Sequence, residues 1–181
     1  MKYILFFLLL LTSLTTNAQA DTVCYQTTSS TYQVTNVPGN TYTWTVAAPG
    51  VIISGQGTNI ITVNWGTANP GLITNAVSVF ATTAAGCPGP PVLLDVFVLN
   101  IVPTIVPLNL CANAPCTPLS GSPAGGAWTG NGVSGNQFCP STAGVGASTI
   151  TYTYSLAGCT FTATQIMNVN PLPTISPIQH D

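Results

Sequence analysis

The chain has 181 residues, of which one is basic, Lys2, and three are acidic; charged side chains make up 2% of it and apolar ones 46%. With no lysine or arginine after Lys2, it lacks the cations that neutralise phosphates, which argues against nucleic acid as a partner, and it can form no Lys or Arg salt bridge. Disorder is argued against too, because disordered chains combine high charge with few apolar and β-branched side chains.

In chain order, Lys2 precedes the apolar stretch Tyr3 to Leu11, polar Thr12 to Asn17, and Ala18-Gln19-Ala20. Small residues at the first and third positions of that triplet suit a signal peptidase, so residues 1–20 are expected to be a signal peptide cut before Asp21. The apolar run is about half of the roughly 20 residues needed to cross a bilayer. No later stretch is longer, so no membrane span is expected after cleavage, and the mature chain is placed outside the cell or on its surface.

Residues 21–100 are expected to form a first β-sandwich. Tyr42, Trp44 and Val46 alternate with threonines, and Ile61, Val63 and Trp65 alternate with Thr62 and Asn64, the period of two that sends alternate side chains to opposite faces of a sheet. Turn chemistry separates the strands at Pro38-Gly39-Asn40, Gly55-Gln56-Gly57 and Asn69-Pro70-Gly71, where proline supplies a fixed negative φ and glycine a positive one. Asp95 interrupts the apolar run Val92 to Leu99; on an alternating strand it points away from Leu94 and Val96, where a charge discourages edge-to-edge association.

Residues 101–108 read as a stiff proline-rich linker. The segment Asn100 to Pro107 has a near copy in Asn170 to Pro177, and such internal repetition points to modules in series. A second β-sandwich is expected over residues 109–170, with Ile150, Tyr152 and Tyr154 facing inward and Thr149, Thr151 and Thr153 outward. Residues 171–181 then form a linker to a further module or a truncated tail. The resulting fold class is all-β, two antiparallel β-sandwich modules in tandem, with no helical stripe after the signal.

The six cysteines of an exported chain read as disulfides rather than metal ligands. Dividing the chain into two modules suggests Cys24 with Cys87, Cys111 with Cys159, and Cys116 with Cys139.

Tyr32-Gln33-Val34, Thr41 to Val46, Gly55 to Asn59, Ile61 to Gly66 and Gly86-Cys87 together resemble the PKD-like module of secreted Bacteroidetes proteins. Cys111, Leu119-Ser120-Gly121, Gly125 to Gly130, Phe138, Gly144, Ile150 to Tyr154 and Gly158-Cys159 are similar to the immunoglobulin-like repeats found beside such modules. These resemblances imply a large secreted or surface protein of the adhesion or gliding type. Cys116 and Cys139 are additional to the usual repeat pattern, which suggests that they bond to each other.

Catalytic chemistry finds no purchase. The lone histidine, His180, stands in the tail, and Asp21, Asp95 and Asp181 are too scattered to flank one bond, so neither a nucleophile with its base nor a carboxylate pair is expected. Gly130-Asn131-Gly132-Val133-Ser134-Gly135 matches the dinucleotide fingerprint by letter but lacks the strand before it and helix after it that the chemistry requires. No cofactor or metal is expected. Trp44 and Trp65 fall on inward faces, whereas Trp128 among glycines is a possible ligand contact. The function expected is a non-catalytic structural or adhesive segment, a disulfide-stapled spacer or interaction module whose partners are other surface modules or extracellular glycans. The alternatives are a carbohydrate- or ice-surface-binding module and a filament-forming subunit.

Overall fold

The computed structural model describes residues 20–180, so the expected leader up to Gln19 and the tail residue Asp181 lie outside the described residues. The N-terminal half holds β1 (Asp21–Cys24), β2 (Ser30–Gln33), β3 (Thr41–Val46), β4 (Val51–Ser54), β5 (Ile60–Asn64), β6 (Gly71–Thr82) and β7 (Val92–Leu99). They form a four-stranded sheet in the order β1-β7-β6-β3 and a three-stranded sheet in the order β2-β5-β4. Alternation decides which side chains meet between the sheets: Tyr42 and Trp44 from β3, Ile61 and Val63 from β5, and Val96 and Val98 from β7 are all buried, with Trp65 and Ala68 beside them. Removing each of the larger apolar side chains from water stabilises the fold by about 1.5–3 kcal/mol.

The C-terminal half contains β8 (Thr104–Ile105), β9 (Asn109–Cys111), β10 (Thr117–Pro118), β11 (Gly121–Ser122), β12 (Ala127–Gly130), β13 (Val133–Ser134), β14 (Gln137–Phe138), α1 (Pro140–Ala143), β15 (Gly146–Leu156) and β16 (Cys159–Asn170). Its main sheet runs β9-β16-β15-β12, with β10-β14-β13 and the pair β8-β11 completing the sandwich. Phe138, Ile150, Met167 and Val169 form the buried centre. The four-residue α1, opened by Pro140, is the only helix among the described residues; proline suits a first helical turn because its missing N–H would lack a partner there anyway.

Among the described residues, no strand pair joins a residue before Asn100 to one after it, and the two buried clusters share no member. Both main sheets are antiparallel except at one edge, where the sheet's first strand in chain order, β1 or β9, runs parallel to its last: Cys24 lies opposite Leu99 and Cys111 opposite Asn170. The expected linker 101–108 is corrected in part. Ser122 and Gly121 pair with Thr104 and Ile105, and Ile105 and Leu108 pack on the second core. Apolar side chains between the prolines have a surface to cover, which anchors the segment instead of leaving it as a free spacer.

Edge strand β3 is covered from within. The Gln56 side-chain amide accepts the Trp44 N–H at 3.1 Å and donates to the Trp44 carbonyl at 2.9 Å, while the Tyr42 N–H reaches the Gly57 carbonyl. This strap between β4 and β5 fills hydrogen-bonding positions that an incoming strand would otherwise take.

Candidate functional site

Two disulfides are present, Cys24–Cys159 and Cys116–Cys139. The second is the expected pair and ties the loop before β10 to the start of α1. The other two expected pairs are corrected. Cys111 lies level with Asn170 at one end of the 12-residue β16, and Cys159 is at the other end, a separation of about 36 Å at roughly 3.3 Å per residue. Cys24 lies level with Leu99, at one end of the eight-residue β7, whereas Cys87 sits in the turn beyond the other end, at least about 23 Å away on the same measure. A disulfide needs Cα atoms within about 7 Å, so neither pair can form. Cys24 is bonded instead to Cys159 across the two halves, with Cα atoms 5.4 Å apart, and Cys87 and Cys111 are exposed free thiols.

The β15–β16 hairpin presents Cys159. Leu156 and Cys159 face each other across a two-residue turn, Ala157-Gly158, whose φ values are 49° and 79°, the pair of positive angles that matches strand twist in a tight hairpin.

The outer face of that hairpin is a threonine array. Thr151 lies opposite Thr164, Thr153 opposite Thr162 and Ser155 opposite Thr160, and β12 extends one row through Thr129 opposite Thr151. Thr160, Thr162 and Thr164 are exposed. Ile150 and Tyr152 point to the other side and are buried, while Tyr154 is half-buried.

Trp128 is half-buried on β12 and stacks on Tyr152, with ring centroids 4.3 Å apart. The Tyr152 hydroxyl donates to the Pro123 carbonyl and accepts the Gly126 N–H at 2.7 Å. A Cβ at Gly126 would stand 2.5 Å from the Tyr152 ring, so this close approach requires glycine. Trp128, Tyr152 and the loop Ala124-Gly125-Gly126 line a shallow pocket of about 250 Å³. The ring thus shares its surface between packing and an open rim.

Trp44 and Trp65 are buried in the first core. Their indole N–H groups donate to the Thr58 carbonyl at 2.8 Å and the Tyr32 hydroxyl at 3.0 Å. Burial raises the Tyr32 phenol above its ordinary value, an effect the Trp65 hydrogen bond only partly opposes. Asp95 accepts the Asn75 N–H at 2.7 Å, where the register of β6 shifts between Ile73 and Val77; sequence reasoning missed this bulge, which carries no glycine. The run Gly130 to Gly135 forms the end of β12, a turn and β13, and leads directly into β14 instead of a helix. Among the described residues, no group of three His, Cys, Asp or Glu side chains is placed to hold a metal ion. No helix there is long and apolar enough to cross a membrane.

The family model of the PKD-like domain matches residues 11–93. Among solved structures, the chain is similar to the fibronectin(III)-like modules of Clostridium thermocellum CbhA, at 12% identity over 92% of this chain and 98% of that one, with a TM-score of 0.37. It is also similar to Sidekick-1 immunoglobulin domains 1–4, at 18% identity over 84% and 49% of the two chains with a TM-score of 0.30. The titin domains z1z2, solved in complex with telethonin, match at 13% identity over 84% and 92%, with a TM-score of 0.30. No curated protein matches the chain. Residues 11–93 are thus similar to a PKD-like domain, and the chain is an all-β sandwich protein.

Proposed function

We propose that this chain is a non-catalytic structural segment of a secreted or surface-exposed modular protein, in which two β-sandwich modules in series form a disulfide-stapled spacer. The observation that carries the reading is the Cys24–Cys159 bond, which couples the halves across a sequence separation of 135 where no strand pairing does so. The two disulfides support an extracellular location, because such bonds persist outside the reducing cytosol. The scarcity of groups able to do acid, base or nucleophilic chemistry supports a non-catalytic role.

Force spectroscopy tests this directly. With the protein held at Asp21 and His180, the stretch between Cys24 and Cys159 is shielded until the bond is cut. Adding reductant should release the 135-residue separation, about 470 Å at roughly 3.5 Å per residue. Full extension of both halves without reductant would defeat the spacer reading.

The threonine array favours a second reading, recognition of a polysaccharide or ice surface. Flat rows of hydroxyls and methyls on β15 and β16 offer hydrogen bonds together with apolar contact. Glycan-array and ice-recrystallisation assays should then give a signal that T162E with T164E abolishes. Blank results in both assays with the unaltered protein would remove this reading.

A further inference from the structure

The two halves share a plan. In each, the first strand of the main sheet, β1 or β9, pairs in parallel with the last and ends in a cysteine, Cys24 opposite Leu99 and Cys111 opposite Asn170. Each also has a Gly-Cys at the far end of the last two strands, Gly86-Cys87 after β6 and Gly158-Cys159 after β15, with φ of 83° and 79° at the glycines. Cys24 therefore corresponds to Cys111, and Cys87 to Cys159. The bond within the chain joins the first-strand cysteine of one half to the hairpin cysteine of the next. The two cysteines left free, both exposed, are the two complementary halves of another such joint.

They also lie at the outer ends. The Cys24–Cys159 bond brings together one end of each main sheet, and Cys87 and Cys111 stand at the opposite ends of theirs. A separate observation marks the Cys111 end as open. In the repeated proline-rich segment, Ile105 packs on the second core, whereas Ile175 at the matching position of the second copy is 93% exposed.

We propose that Cys111 of one copy and Cys87 of a second copy form the same joint, so that chains add head to tail. Because the two surfaces differ, the contact is heterologous and propagates into open filaments or rings. The oxidant is a small-molecule or catalytic disulfide. The Cys111 thiolate attacks one of its sulfurs and expels a thiol; the Cys87 thiolate of the next copy then attacks the Cys111 sulfur and expels the second. Two protein thiols lose two electrons and two protons, and one disulfide is reduced to two thiols.

This deepens the spacer reading, since it takes the Cys24–Cys159 joint as its template. The test is incubation of the purified full chain with oxidised glutathione, followed by non-reducing electrophoresis and mass mapping of chymotryptic peptides, the mature chain having no trypsin site. The expected result is a ladder of integral multiples of the monomer, lost on reduction and carrying a Cys87–Cys111 peptide. C87S mixed with C111S should yield a Cys87–Cys111 heterodimer and no ladder. Cys24–Cys159 present while the chain stays monomeric, or a ladder linked only by identical cysteines, overturns head-to-tail assembly and leaves the spacer reading standing. A Cys111 bonded to a following module of its own polypeptide in native material overturns it equally. Absence of the Cys24–Cys159 peptide overturns both.

Discussion

Tyr32 and Trp65 meet edge to face in the first core, ring centroids 6.5 Å apart, and the indole N–H is satisfied by the phenol oxygen. Tyr32→Phe keeps the ring but leaves a buried donor without an acceptor, a loss of about 1–3 kcal/mol. The same pair sets a pH response. Burial raises the folded-state value of the phenol, so above the ordinary tyrosine value of about 10 the unfolded chain releases a proton that the folded chain retains. The unfolded state then binds fewer protons, and stability falls as pH rises through that range while staying complete below it. Chemical denaturation between pH 8 and 11 should show a decline above pH 10 that is shallower in Tyr32→Phe. Parallel declines in the two proteins would assign the alkaline loss to other groups.

At the level of elements, the hairpin that holds Cys159 is limited by Ala157, whose φ of 49° is disfavoured for a residue with a Cβ; asparagine tolerates this region far better. Ala157→Asn should raise stability by about 0.5–1 kcal/mol, read as a higher melting temperature with the Cys24–Cys159 bond retained. A lower melting temperature would show that the turn needs the small side chain for another contact. Much of this architecture was legible in the chain. Tyr42, Trp44, Ile61, Val63, Ile150 and Tyr152 alternate with polar neighbours, and period two is a local property that survives folding. The parallel edge pairs were not legible, because Asp21 to Cys24 and Asn109 to Cys111 find their partners about 60 residues or more away, with no local pattern to announce it. The anchoring of residues 101–108 was masked by prolines, although Ile105 between them and Leu108 just after them were the available signal. Trp128 was visible as exceptional among its glycines, but its stacking partner Tyr152 comes from β15, held there by Gly126 and Pro123 in the loop just before β12.

For the molecule as a whole, the decisive question is what joins two halves that share neither a strand pair nor a buried cluster. Cys116–Cys139 was read correctly, but the other two pairs were misread because every bond was assumed to lie within one module. The recurrence of a first-strand cysteine and a Gly-Cys in both halves is equally consistent with a bond between neighbouring modules, and only strand register separates the two. Without lysine or arginine, ion pairs cannot supply the coupling, so it falls to Cys24–Cys159 and the short chain segment after Leu99. Cys24→Ser combined with Cys159→Ser should therefore leave each core folded and the circular dichroism of the strands unchanged. Small-angle scattering should nevertheless report a broader distribution of interatomic distances, as the halves reorient about residues 100–103. Loss of β-structure in that double variant would mean that the bond is needed for folding of the halves themselves and not for their alignment. An unchanged scattering profile would place the coupling in packing between the halves instead of the covalent link.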